Sequence, residues 1–191
     1  MQTSKRILVI LGHPFKASLC GAFAEAYAEE ALKVGHEVRM IRLGELQFDA
    51  VRRERDQPLE PCLQAAQADI LWAQHLVFVY PTWWGGLPSL LKGFFDRAFL
   101  AGFAFKYRVN SIWWDRLLSG RSAQLIVTMD TPPWYYRFFF KMPGHNQMRK
   151  TILGFCGIKP VAITNFGPIK RSTVEKRAQW IYKVRQLAAK A

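Results

Sequence analysis

Five short apolar runs punctuate the chain, and the segments between them carry a helical period. Residues 6–11, "RILVIL", are almost continuously apolar and rich in Ile, Val and Leu. Such a run reads as a strand buried on both faces, as in a parallel sheet. After it, Leu19, Ala22, Phe23, Ala26, Tyr27 and Ala31 recur at i, i+3, i+4, i+7 spacing, which predicts an amphipathic helix. Ser18 is placed to cap that helix and Gly35 to end it. Residues 36–43 alternate in polarity and predict a second strand. Residues 44–58 are polar, with "RRERD" at their centre, and predict an exposed connection.

A second helix is expected over 60–73 and a third buried strand, "HLVFVY", over 75–80. Leu87, Leu90, Leu91, Phe94, Phe95, Ala98 and Phe99 then form one helical stripe. Gly93 sits within it at a cost of up to about 1 kcal/mol relative to alanine, which predicts close packing there. Strands follow at 123–129 and 159–167, with a helix between them ending near Phe155. A last helix is expected over 172–189.

Strand and helix thus alternate five times. That pattern predicts an α/β domain over residues 1–191, with a five-stranded parallel sheet covered by helices on both faces. The common doubly wound order for five strands is 2-1-3-4-5, and ligands bind beyond the carboxyl ends of the strands, where the order reverses. Three loops meet at that point: "GHPFKASLC", "YPTWWGGLP" and "TMDTPPWYY". A helix N-terminus in the first would favour phosphate through its unpaired N–H groups, with His13, Lys16 and Ser18 near it. Ser18 can equally be only a cap. In the second loop, Pro81, Trp83 and Trp84 offer a flat apolar wall, and Gly85 and Gly86 leave backbone bare, as a planar heteroaromatic ligand requires. The same tryptophans could instead fill a core or a subunit interface.

Charge narrows the class of ligand. The net charge of +13 over 191 residues favours anionic partners. There is no GxGxxG and no GxxxxGK[ST], so dinucleotide-binding Rossmann and P-loop readings lose support. No helix-turn-helix, zinc-finger or RNP-like pattern supports nucleic-acid binding. Cys20, Cys62 and Cys156 are odd in number and scattered, which predicts free thiols, and the four histidines lack metal-ligand spacing. Without a recognisable signal peptide or a membrane-length apolar stretch, a cytoplasmic protein is expected.

The stretch "YPTWWGGLPSLLKGFFDRAFLAGFAFKY" resembles the NAD(P)H:quinone oxidoreductase family. The shared pattern is aromatic-Pro-x-x-Trp-x-Gly-hydrophobic-Pro, then Leu-Lys-Gly, an aromatic pair, an acidic residue and Arg. "RILVILGHPFKASLCGAFAEAY" and "LGFCGI" extend the likeness over most of the chain. The resemblance implies a flavodoxin-like fold, a flavin (FMN expected, FAD the alternative) and ping-pong transfer of two electrons from NAD(P)H to a quinone or similar aromatic acceptor. It also implies a homodimer.

By position, Pro81, Thr82, Trp83, Trp84 and Gly85 would line the flavin ring, with Trp83 and Trp84 N–H groups toward its polar edge. His13, Ser18, Leu19 and Cys20 would hold the phosphate end, and Thr128 would lie beside the ring. Phe103, Phe105 and Tyr107 would line a partner subunit's pocket.

Two departures stand out. Where the family often has Thr-Thr-Gly-Gly, this chain continues from Thr128 with Met129, Asp130, Thr131, Pro132 and Pro133. The proline nitrogens have no hydrogen to donate, and an ionised Asp130 would disfavour an anionic flavin. Gly85 also replaces a bulky residue, which would widen the acceptor side. The aromatic, basic stretch 134–150 is expected to form a lid. Its Arg137, Lys141 or Arg149 would attract NAD(P)H phosphates, and Tyr135, Tyr136 and His145 would meet the acceptor. The alternative for this stretch is a core-packing helix with a basic outer face. A second functional reading is a regulatory subunit of a potassium-efflux type membrane transporter on the same fold.

Overall fold

The computed structural model describes residues 4–54 and 56–191. Five strands, β1 (Arg6–Leu11), β2 (Glu37–Arg42), β3 (His75–Pro81), β6 (Ser122–Thr128) and β7 (Val161–Phe166), form one parallel sheet in the order β2-β1-β3-β6-β7. This is the expected 2-1-3-4-5 order. The numbering skips because an antiparallel hairpin, β4 (Phe105–Tyr107) with β5 (Trp114–Arg116), intervenes. Its strands have three residues each, too short to leave a periodic signature.

The continuous apolar runs have the predicted cause. Beyond their first residue, β1, β3 and β6 are buried along their whole length. Alternate side chains point to opposite faces. Ile7, Val9, Leu11, Val77, Val79 and Ile126 pack on the face of α1 (Leu19–Lys33) and α7 (Val174–Ala188). Leu8, Ile10, Phe78, Tyr80, Leu125 and Val127 pack on the other, against α2 (Pro61–Trp72) and α3 (Ser89–Ala98). Register sets the strand ends: Leu11 lies opposite Val79, and Pro81 opposite Thr128. The loops after β1, β3 and β6 therefore open at the same edge.

The connection over 44–58 differs in part from expectation. Arg52, Arg53, Glu54 and Asp56 are exposed, but the connection is also pinned to α3. Arg97 is 1 % exposed. Its guanidinium donates to Glu60 Oε1 and Oε2 at 3.0 and 2.8 Å, and to the carbonyls of Asp49 and Pro58 at 2.7 and 2.8 Å. Gly93 lies directly beneath: a Cβ there would stand 2.6 Å from the Ala50 carbonyl oxygen. The single helix expected between β6 and β7 is broken into α4 (Pro133–Phe138), α5 (Pro143–Asn146), a π-helical segment (Gln147–Leu153) and α6 (Gly154–Cys156). The break falls at Lys141 and Met142, both left-handed at φ 58° and 54°.

Replacing Arg97 with leucine should cost about 3 kcal/mol, the scale for breaking a buried pair, read as a lower urea midpoint at unchanged slope. A second expectation concerns His75, at the start of β3, whose Nδ1 lies 2.7 Å from Ser122 Oγ. Burial, with smaller contributions from Lys5 and His36, lowers its pKa to about 4. The unfolded chain takes up this proton near pH 6.5 and the folded chain only near 4, so stability falls as pH drops through that window. His75→Asn should remove up to about 3 kcal/mol of that acid sensitivity, visible as a shallower slope of unfolding free energy between pH 6.5 and 4.

Candidate functional site

The loops after β1, β3 and β6 enclose a cleft with two compartments. The inner one, about 220 Å³, is lined by residues including His13, Leu19, Cys20, Pro81, Thr128 and Met129. The outer one, about 580 Å³, is lined by residues including Trp84, Gly85, Thr131, Phe140 and Pro143. Thr82, Trp83 and Asp130 line both.

The inner compartment is built by the start of α1. Ser18 Oγ accepts from Gly21 N–H at 3.1 Å and donates to the Phe15 carbonyl at 2.8 Å. Its hydroxyl is spent on capping, and Ser18 does not line the cavity, unlike the expectation that it would hold phosphate. Leu19 and Cys20 follow; as the first residues of the helix, their N–H groups have no intrahelical acceptor. His13 Nδ1 accepts from Phe15 N–H at 3.0 Å, which leaves Nε2 to carry the proton of the neutral ring. Burial lowers the His13 pKa, opposed by its hydrogen bond to the Phe15 backbone. Cys20 Sγ lies 3.2 Å from Thr128 Oγ1, and burial pushes its thiol up to about 12. Cys20 is therefore a packed, neutral wall and no nucleophile.

The outer compartment is built on a tight turn. Trp84 and Gly85 have φ of 51° and 75°, and Gly86 N–H donates to the Trp83 carbonyl at 2.9 Å. Positive φ at both central residues makes this a type I′ turn. Trp83 N–H donates to the Gly86 carbonyl at 3.2 Å, so it closes the turn and is not the free donor expected. A left-handed tryptophan costs roughly 1–2 kcal/mol, and the fully exposed Trp84 ring recovers none of it by burial. The strain is held from below. The Gly85 carbonyl accepts from Tyr136 Oη at 2.9 Å and from Gly144 N–H at 3.1 Å.

That bracing corrects two expected acceptor contacts. Tyr136 is 1 % exposed, and its hydroxyl also accepts from Gly144 N–H. His145 is buried, with Nε2 donating to Asn165 Oδ1 at 2.8 Å. Both polar groups are consumed inside the protein because they join α4, α5, the turn and β7. Tyr135 is more exposed and stacks on Phe139 at 4.5 Å; it does not line the cleft.

The chain after Thr128 resolves differently from its sequence. Met129 is buried, its N–H donates to the Phe166 carbonyl and its own carbonyl accepts from Ile169 N–H. It thus extends the sheet. Asp130 Oδ1 accepts from Lys170 N–H at 2.8 Å, and Lys170 Nζ lies 3.5 Å from its other oxygen. That cation offsets the carboxylate's charge at the cleft. Thr131, Phe140, Pro143 and Ile169 were missed as lining residues, whereas Asp130, singled out for its charge, lines both compartments. The position of Asp130 and Thr131 just past a strand's carboxyl end was a usable signal; the others depend on chain turns that sequence does not encode locally. Among the described residues, no three His, Cys, Asp or Glu side chains group as metal ligands.

A profile of the flavodoxin-like fold family matches residues 5–188. The chain belongs to that family. Among solved structures, Smu.1420 from Streptococcus mutans is 30 % identical and superposes with a TM-score of 0.86, covering 97 % of this chain and 100 % of that one. Among curated proteins, the ribosyldihydronicotinamide dehydrogenase-like protein traD of Penicillium crustosum is 32 % identical over 152 residues, 65 % of this chain and 57 % of its own length. The NAD(P)H dehydrogenase [quinone] 1 of Cavia porcellus is 30 % identical over 130 residues, 56 % of this chain and 47 % of its own. The chain thus spans about half the length of these two curated relatives.

Trp84→Gly tests the strained turn. Stability should hold or rise by about 1 kcal/mol as the left-handed penalty is lifted, measured by urea unfolding. A clear loss of stability would mean that the indole is packed in the native state.

Proposed function

We propose that this protein is a flavin-dependent NAD(P)H oxidoreductase that reduces a quinone or similar aromatic acceptor by two electrons. The observation that carries this reading is the two-compartment cleft at the sheet's topological switch point, with an aromatic turn over one half and a capped helix start at the other. Its outer volume falls in the range of about 300–1,000 Å³ usual for small-molecule sites. The names of the curated relatives point to the same chemistry.

The residues present fit a flavin. The N–H groups of Leu19 and Cys20, with His13 Nε2–H beside them, would hold the phosphate. Pro81, Thr82, Trp83 and Gly85 would hold the ring, with Thr128 and Asp130 at its side. A bound flavin supplies the hydride chemistry, and the protein contributes orientation and electrostatics. Trp83 and Phe140 give the outer compartment apolar walls. A neutral His13 would donate a hydrogen bond to that phosphate from Nε2. The Lys170–Asp130 pair would lessen the negative charge beside a bound flavin ring. FMN is preferred over FAD, NAD(P)H is the donor, and a homodimer is the expected assembly.

The deciding measurement is the visible spectrum of the purified protein, with released cofactor identified by chromatography. FMN or FAD should be released on denaturation, and Trp83→Ala should weaken flavin binding by about tenfold, the scale of 1.4 kcal/mol. A colourless protein that also fails to take up added FMN and FAD would overturn the proposal.

A further inference from the structure

Beside the cleft, α4 and the residues after it carry a dense aromatic surface. Trp134, Phe138, Phe139 and Phe140 are each 51–64 % exposed. Trp134, Phe139 and Phe140 are joined through Tyr135, which stacks on Phe139 at 10° and meets Trp134 and Phe140 edge-on at 5.7 and 5.3 Å. The patch is rooted by Tyr136, the buried member of the same short helix, through its bond to the Gly85 carbonyl. The left-handed Lys141 and Met142 then turn the chain away. Exposed apolar surface gathered this way marks an interaction site.

Its charge says what kind. The Arg137 guanidinium lies over the Phe138 ring, 5.6 Å from its centre, and Lys141 follows the aromatic run. Residues 134–141 hold Arg137 and Lys141, and the chain has no acidic residue between Asp130 and Glu175. A second copy docking symmetrically on this patch would set those cations against their own images. An anionic bilayer surface meets both demands at once. Trp, Tyr and Phe rings settle at headgroup depth, and Lys and Arg meet acidic lipid. Among the described residues no helix is long and apolar enough to cross a membrane, so the contact is peripheral.

We propose that residues 134–141 dock this protein on an anionic membrane surface, with the mouth of the outer compartment beside the lipid. Phe140 belongs to both the patch and the cleft wall, so the docked face and the cleft are continuous. Resting on the oxidoreductase reading, this arrangement specifies the acceptor class: a lipophilic quinone that enters from the bilayer without crossing water.

The test is flotation of the full-length protein with vesicles of phosphatidylcholine containing roughly one-third phosphatidylglycerol, against phosphatidylcholine alone. Binding is expected only to the anionic vesicles and should weaken as salt rises. Phe138→Ser with Phe139→Ser should lower it by about tenfold or more at an unchanged melting temperature. Absence of binding, or binding indifferent to the double substitution, would overturn the proposal. So would a dimer, seen by analytical ultracentrifugation, that the double substitution splits into monomers, because the patch would then be a self-interface. Flavin content measured on the same samples separates the two readings. Vesicle binding without flavin uptake overturns only the oxidoreductase, and flavin uptake without vesicle binding overturns only the docking.

Discussion

β3 is hydrogen-bonded on both sides, to β1 and to β6, and the molecule is arranged around that central position. A strand with neighbours on both edges and helices on both faces has little surface for polar side chains, so it is apolar from Leu76 to Val79. Parallel pairing also sends all the strand ends the same way. Because β1 and β6 flank β3, the loops that follow these three strands must share one edge, and the cleft forms where they diverge.

The cleft combines a rigid floor with a strained rim. Its floor is sheet and helix start, fixed by register and by the Ser18 cap. Its rim is the Trp84–Gly85 turn, which holds a left-handed tryptophan only because the Gly85 carbonyl is gripped by Tyr136 and Gly144. Strain of this kind persists where surrounding structure over-determines it, and it concentrates at functional positions. Tyr136 therefore matters to the site without touching its interior.

The broken helix between β6 and β7 serves two surfaces. Its inner side contributes Tyr136, Gly144 and His145, whose polar groups tie the turn to β7. Its outer side presents aromatic rings and cations to solvent. An uninterrupted helix would have one face for each role. The left-handed step at Lys141 and Met142 separates two short helices, the second of which brings Pro143 to the cleft.

The five strands, their order and the identity of the three cleft loops could be read from the sequence, because apolar run length and helical period are local and repeat. The free thiols and the resemblance carried by residues 80–107 were equally legible. Tertiary structure alone decided the fate of particular polar groups. Ser18 and Tyr136 carry hydroxyls suited to a ligand, and His145 an imidazole, yet all three are satisfied by protein partners distant in the fold or adjacent at a cap. Arg97, beside the apolar stripe of α3, is a buried anchor for Asp49, Pro58 and Glu60. Asp130 looked like an unfavourable charge until Lys170, forty residues later, came beside it. Hydrogen-bond partners at long separation depend on register and loop path, and neither leaves a periodic trace in the chain.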